Sequence, residues 1–128
     1  MSDAQSVFEQ LIAAFNALDF ERFVECLAPE VSLFAPASSE PGLIEHTTAV
    51  QAHFRKVFQV ESPSGPGIRP GNVRVRSIGD QAALVTFEFE RSGHSTGRRT
   101  IVLQHGVAGW KVVHVHASNT ESREAGNA

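Results

Sequence analysis

Past Gly71 the spacing of apolar residues changes from near four to two, and this change of period confines the chain to a fold in which helices come first and a sheet follows. Alternation over Val73 to Ile78, Ala82 to Arg91, Arg99 to Gln104 and Trp110 to Ser118 predicts four strands. The intervening "GD", "SGHSTG" and "HGVAG" are turn-rich and short enough for antiparallel hairpins. Upstream, Val7, Phe8, Leu11, Ile12, Phe15 and Leu18 lie on one helical stripe, with Ser2 or Asp3 able to cap it. Asp19 can cap a second short helix carrying Phe20, Phe23, Val24 and Leu27, which Pro29 ends. A strand over Val31 to Phe34 follows. A third helix opens at Thr47 or Thr48 and turns Val50, Phe54, Val57 and Phe58 inward, until "ESPSGPGIRPG" (61–71) breaks it.

The expected order is therefore α-α-β-α-β-β-β-β, an α+β arrangement with helices packed on the concave face of a curved antiparallel sheet. With 128 residues the chain has the size of one domain, expected over residues 1–119, and "TESREAGNA" has nothing to bury and is expected to fray, giving a disordered tail over 120–128. Cys26 is the sole cysteine, so no internal disulfide can form. There is no leader pattern and no run near the ~18 apolar residues of a membrane span, so a soluble, cytoplasmic protein without a membrane partner is expected. The net charge of −3 supplies no basic field for a phosphate backbone, which argues against nucleic acid.

Alternation separates the two faces of the sheet. One collects Val73, Val75, Val85, Phe87, Phe89, Ile101, Leu103, Val113 and Val115, and must take the helices. The other carries Arg74, Arg76, Thr86, Glu88, Glu90, Thr100, Val102, Gln104, Trp110, Val112, His114, His116 and Ser118. Aromatic and apolar anchors within a polar frame, here Trp110, Val112, Val102, His114 and His116, suit a subunit interface and predict a homodimer.

The runs "LDFERFVECLAPEVSLFAP", "GDQAALVTFEFE" and "GWKVVHVHASN" are similar to the association (hub) domain of calcium/calmodulin-dependent protein kinase II. That domain lies within the nuclear transport factor 2-like superfamily, which includes the SnoaL-like proteins. The resemblance spans roughly residues 5 to 119. Its most specific part is Trp110 followed by a valine-rich strand ending His114, His116 and Ser118, together with Asp19-Phe20-Glu21 and the Phe34-Ala35-Pro36 turn. It implies a cone-shaped fold, a pocket between sheet and helices, and dimers through the outer sheet face, extending in some cases to a ring. No kinase domain or calmodulin-binding segment accompanies it. Where that family lines its pocket with arginines, ungapped matching places Phe89, Ile101 and Ala117, so those ligand contacts do not carry over.

Other residues could supply a site. Alternation puts Arg91 and Arg99 on the helix-facing side, one rung beyond Phe89 and Ile101, and opposite each other if the hairpin is regular. Like charges across strands repel unless an anion lies between them, and two guanidinium forks suit a carboxylate; the alternative is that both are solvated, paired with Glu45 or Glu61. Phe34, Phe87, Phe89 and Ile101 would line the pocket or, with the chain's nine Phe, fill it. His114 and His116 point the same way, but no third ligand is nominated, so no metal is expected and no cofactor is called for. His94 and His105 fall in turns. His46 and His53, two helical turns apart near Glu45, are candidate general bases or merely capping and surface residues. Cys26 reads as an inert thiol. Ketosteroid-isomerase chemistry is excluded, because it uses a Tyr in its oxyanion hole and this chain has none.

Two functional readings follow, with a third in which the cavity is filled and the chain is purely structural. The first is a stand-alone small-molecule-binding or oligomerisation module with a mainly apolar pocket. The second is a cofactor-free SnoaL-like enzyme of the isomerase, cyclase or hydrolase class. It would act on a small carbonyl compound by proton transfer, with His53 or His46 as base and Arg91 or Arg99 holding an anionic group.

Overall fold

Helix α1 (Ala4–Asn16) begins where Asp3 Oδ1 accepts from the Ser6 N–H at 2.9 Å, satisfying a donor that the first turn leaves free. Its stripe buries Val7, Phe8, Leu11 and Ala14. In the same way Asp19 accepts from the Arg22 N–H at 3.2 Å and starts α2 (Phe20–Glu25). The computed structural model describes residues 3–36, 41–61, 67–91 and 95–120.

Leu27 does not continue α2 but opens strand β1 (Leu27–Phe34). Pro29 therefore lies inside a strand, where the register against the neighbouring strand shifts between Leu27 and Ser32. Such an irregularity is where a residue without an N–H is tolerated. A two-residue strand, β2 (Ile44–Glu45), pairs with Ser32 and Leu33 and has no periodic signal of its own. Helix α3 (Thr47–Val60) follows, with Thr47 Oγ1 donating to the Pro29 carbonyl at 2.6 Å.

Strands β3 (Gly71–Ile78), β4 (Ala82–Arg91), β5 (Ser95–Gly106) and β6 (Gly109–Thr120) form the expected meander. The sheet order is β2-β1-β6-β5-β4-β3. Every pairing is antiparallel except that of β1 with β6, which is parallel and makes the sheet mixed. Alternation within a strand reports burial and not direction, so the sequence pattern carries no sign of this pairing. Thr120, expected in the tail, closes β6 opposite Thr96; residues 121–128 lie outside the described residues.

The helices pack on one side of the sheet. Phe8 and Leu11 of α1 join Val85, Phe87, Ile101, Leu103 and Val115 in the core, and α3 packs on β1. At the opposite edge β3 is exposed along its length, leaving Val73 and Val75 at 40% and 39% exposure. Their inward parity is as expected, since Val75 pairs with Val85, but the principal helix contacts fall on β1, β4 and β6. Asn16 ties the segment preceding β3 to α1: its Nδ2 donates to the Ile68 carbonyl at 2.9 Å, and its Oδ1 accepts from the Ile68 N–H at 2.7 Å.

Candidate functional site

The β4–β5 hairpin sets the positions of both arginines. Phe87 pairs with Arg99, Phe89 with Gly97 and Arg91 with Ser95, so Arg91 and Arg99 share the helix-facing side but are not cross-strand partners. Strand β4 runs to Arg91, and β5 starts at Ser95, four residues before the expected Arg99. That longer strand moves the register, so the arginines are separated along the sheet instead of face to face.

Arg91 is held by a hydroxyl oxygen and Arg99 by main-chain and amide oxygens. Arg91 donates from Nη1 to Ser95 Oγ at 2.8 Å, and Ser95 Oγ donates on to the Thr120 carbonyl at 2.5 Å. Arg99 Nη1 donates to the carbonyls of Arg98 at 2.9 Å and Ser118 at 3.0 Å, and to Asn119 Oδ1 at 3.2 Å. Its guanidinium lies over the Phe89 ring, 4.8 Å from the centroid. Residue 97 has to be glycine for this arrangement, because a Cβ there would run into the Phe89 ring. Ser95, Gly97 and Asn119 carried no signal in the sequence, since none is titratable and their roles depend on the strand register.

Burial, followed by repulsion from Arg91, lowers the Arg99 pKa from its ordinary value to about 10. No carboxylate among the described residues offsets this. Glu45 pairs with Ser32 at the far side of the sheet, and Glu61 ends α3. Half-buried and already hydrogen-bonded to neutral acceptors, Arg99 is a cation lacking a counter-charge among the described residues.

Other candidate residues are placed differently from expectation. Phe34 is not on the helix side; it lies on the outer face, with ring centroids 5.8 Å from His114 and 5.2 Å from His116. This follows from β1 alternation, because Val31 and Leu33 are the buried residues and Ser32 and Phe34 point the other way. Val112 and Trp110 are also corrected. The β5–β6 register shifts between Val102/His114 and Leu103/Val112, so one extra residue, Val113, reverses the parity of the strand beyond it. Val112 is consequently in the core at 0% exposure, and half-buried Trp110 packs against the core cluster.

Val102, His114 and His116 keep their outer-face positions. Ser32 Oγ is 2.8 Å from His114 Nδ1, and Val102 pairs directly with His114. Burial lowers the His114 pKa, with His116 acting in the same direction and Ser32 opposing it. Phe87 and Ile101 are buried in the core, Phe87 stacking on Phe8 at 5.3 Å and on Phe89 at 6.2 Å. Aromatic packing thus occupies the helix side at this level. Of the two cavities described, one of about 410 Å³ opens around Arg74, Thr86, Arg98 and His116 and also reaches Phe87 and Arg99, and the other, of about 380 Å³, lies between α1, α2 and the start of β6.

His46 and His53 do not act together. His46 is exposed at the N-cap of α3 with φ of 75°, while His53 is buried and stacks on Phe54 at 5.1 Å. Helix α3 packs on β1 and β2, and β6 stands between β1 and the β5 that carries Arg99. Among the described residues no group of three metal-binding side chains comes together. His105 is exposed beside Trp110, and His94 lies outside the described residues. The Cys26 thiol is buried, donates to the Arg22 carbonyl at 3.6 Å, and is pushed up in pKa by burial.

A SnoaL-like domain model matches residues 4–121. The chain belongs to the SnoaL-like domain family. No curated protein matches it. Solved structures share this SnoaL-like architecture at low identity. The hub homology domain of calcium/calmodulin-dependent protein kinase II from Chlamydomonas reinhardtii is 21% identical, with a TM-score of 0.66 over 91% of this chain and 95% of that one. An NTF2-like protein of unknown function from Pseudomonas putida is 18% identical, with a TM-score of 0.76 over 89% of this chain and 82% of that one. A cystatin-like fold protein from Burkholderia xenovorans is 20% identical, with a TM-score of 0.74 over 92% and 89%. At these identities the likeness shows the SnoaL-like fold alone. No helix among the described residues is long and apolar enough to cross a membrane.

Proposed function

We propose that this SnoaL-like chain is a small-molecule-binding module whose ligand is a small organic anion held by Arg91 and Arg99 at the hairpin end of the sheet. One observation carries the reading: Arg99 is half-buried over Phe89, and among the described residues only another cation, Arg91, acts on it electrostatically. A carboxylate would remove the repulsion and accept from guanidinium N–H groups that neutral oxygens leave unused, in the fork geometry that favours Arg. Phe89 offers an apolar surface to the rest of the ligand. The experiment is a thermal-unfolding screen against small carboxylates, inorganic phosphate and apolar carbonyl compounds. At 100 times its dissociation constant a ligand adds ~2.7 kcal/mol. Stabilisation by carboxylates alone is the expected result, and indifference to every anion would overturn the reading.

A second reading concerns the other side of the sheet, and it is compatible with the first. No helix among the described residues covers the outer face, which presents Phe34, Val102, His114 and His116 half-buried or exposed in one patch. An aromatic cluster of this kind within a polar frame supports self-association into a homodimer, the arrangement suggested by a hub domain among the structural neighbours. Light scattering on the purified chain tests it: a dimer is expected at micromolar concentration, and a monomer would remove the reading. The enzymatic alternative is supported less, because His53 and the arginines are carried by elements separated by β6. A candidate dehydratase from Streptomyces avermitilis, 17% identical, keeps that chemistry within the range of the fold.

A further inference from the structure

Between α1, α2 and the start of β6 lies a groove of about 380 Å³ that the anion site does not use. Its floor follows from sequence. Val7, Gln10 and Ala14 recur at the spacing that keeps them on one face of α1, and Ala17 follows at its C-cap. Val7, Ala14 and Cys26 are buried and form the apolar base, while Gln10, Arg22 and Glu25 stand exposed at the rim. The volume falls within the ~300–1,000 Å³ typical of small-molecule sites.

The charges around this floor alternate. Asp19, Arg22 and Glu25 are spaced three residues apart, so successive groups are offset by ~4.5 Å along α2. Lys111 comes in from β6 and donates through Nζ to the Glu25 carbonyl at 2.5 Å, which fixes a second cation at the rim. Asp19 Oδ1 is engaged in capping α2. Among the described residues the Arg22 guanidinium and the Glu25 carboxylate have no hydrogen-bond or ion-pair partner. A ligand with one net charge would meet repulsion from two of these four groups. A molecule carrying an ammonium and a carboxylate close together matches both signs, and an apolar substituent can rest on the Val7, Ala14 and Cys26 floor.

We propose that this groove binds a small zwitterion of the amino-acid class, with its carboxylate on Arg22 and Lys111, its ammonium on Glu25 and Asp19, and its apolar side group over Ala14 and Cys26. It is distinct from the anion site, which lies at the hairpin end of β4 and β5.

Cys26 lines the groove and is the sole cysteine, so its alkylation reports on occupancy. The rate of modification by N-ethylmaleimide is measured with L-leucine, N-acetyl-L-leucine and L-leucinamide, which carry both charges, only the carboxylate and only the ammonium. The expectation is saturable protection by L-leucine, approaching tenfold at about ten times its dissociation constant, with weaker protection by both analogues. Arg22→Ala, an exposed change, should weaken that protection, and Ala14→Leu should abolish it by filling the floor. Amide chemical shifts of α1 and α2 give a second readout that does not depend on thiol access. Equal protection by all three compounds would overturn the charge assignment. Unchanged alkylation together with unchanged shifts, up to the solubility of leucine, would overturn the site.

Discussion

The two sides of this sheet are built from the same strands and differ in what each asks of its side chains. On the helix side, Val85, Phe87, Ile101, Leu103 and Val112 are buried, and the row ends in a pair of arginines with no acid beside them among the described residues. On the outer side, Val102, His114, His116 and Phe34 form one patch that no described element covers. Apolar character alone does not distinguish the sides; position relative to the helices does. Leu103 and Val102 are chain neighbours, yet one is at 0% exposure and the other is half-buried. The difference teaches that a helix-covered face is fixed by packing, and an uncovered one is left available for association.

The sharpest way to break the comparison is to truncate both neighbours. Leu103→Ala should cost ~3 kcal/mol in chemical denaturation, since a fully buried leucine loses its transfer energy and leaves a cavity. Val102→Ala should cost less than ~1 kcal/mol in a monomer, and similar costs at both sites would remove the distinction. Next in size, Val102→Glu should leave the fold intact while weakening dimerisation about 100-fold, roughly 2.7 kcal/mol, as read by light scattering across a dilution series. Smaller still, Asn16→Ala should lose ~1–2 kcal/mol, because both hydrogen bonds to Ile68 go together; Asn16→Asp, which keeps the acceptor only, should fall between.

The smallest effect is expected at His114. Its pKa is lowered from 6.5 in the folded chain by burial and by His116, so the unfolded chain takes up the proton first. Stability should therefore decline as pH falls below 6.5 and level off once the folded ring is also protonated. His114→Asn should flatten that decline in pH-dependent denaturation; an unchanged slope would assign it to other groups.

How much of this was legible in the sequence can be traced residue by residue. The three helices, the meander of four strands and the cap Asp19 follow from period and capping chemistry, and the structure has them; of the two caps open for α1, Ser2 or Asp3, it uses Asp3. The parallel pairing of β1 with β6 was not readable, because alternation is blind to strand direction. Val112 and Trp110 were assigned to the wrong side for a physical reason: an extra residue at Val113 breaks strict alternation, and nothing local in "WKVVHV" marks it. Arg91 and Arg99 were placed on the correct side and in the wrong register, since hairpin register depends on where the turn closes. Ser95, Gly97 and Asn119 became recognisable as supports of the arginines only once that register was known.

The central claim is that Arg99 is a cation awaiting an anion, and the unfolding free energy of Arg99→Met tests it most directly, measured with and without the best carboxylate from the screen. Met keeps much of the apolar contact with Phe89 and removes a desolvated charge, so without ligand the variant should match the wild type within ~1 kcal/mol or exceed it. With ligand at 100 times its wild-type dissociation constant, the wild type should gain ~2.7 kcal/mol and the variant almost nothing. A variant that is strongly destabilised without ligand, yet gains from the carboxylate as much as the wild type, would show that Arg99 is a structural strut and that the anion binds elsewhere.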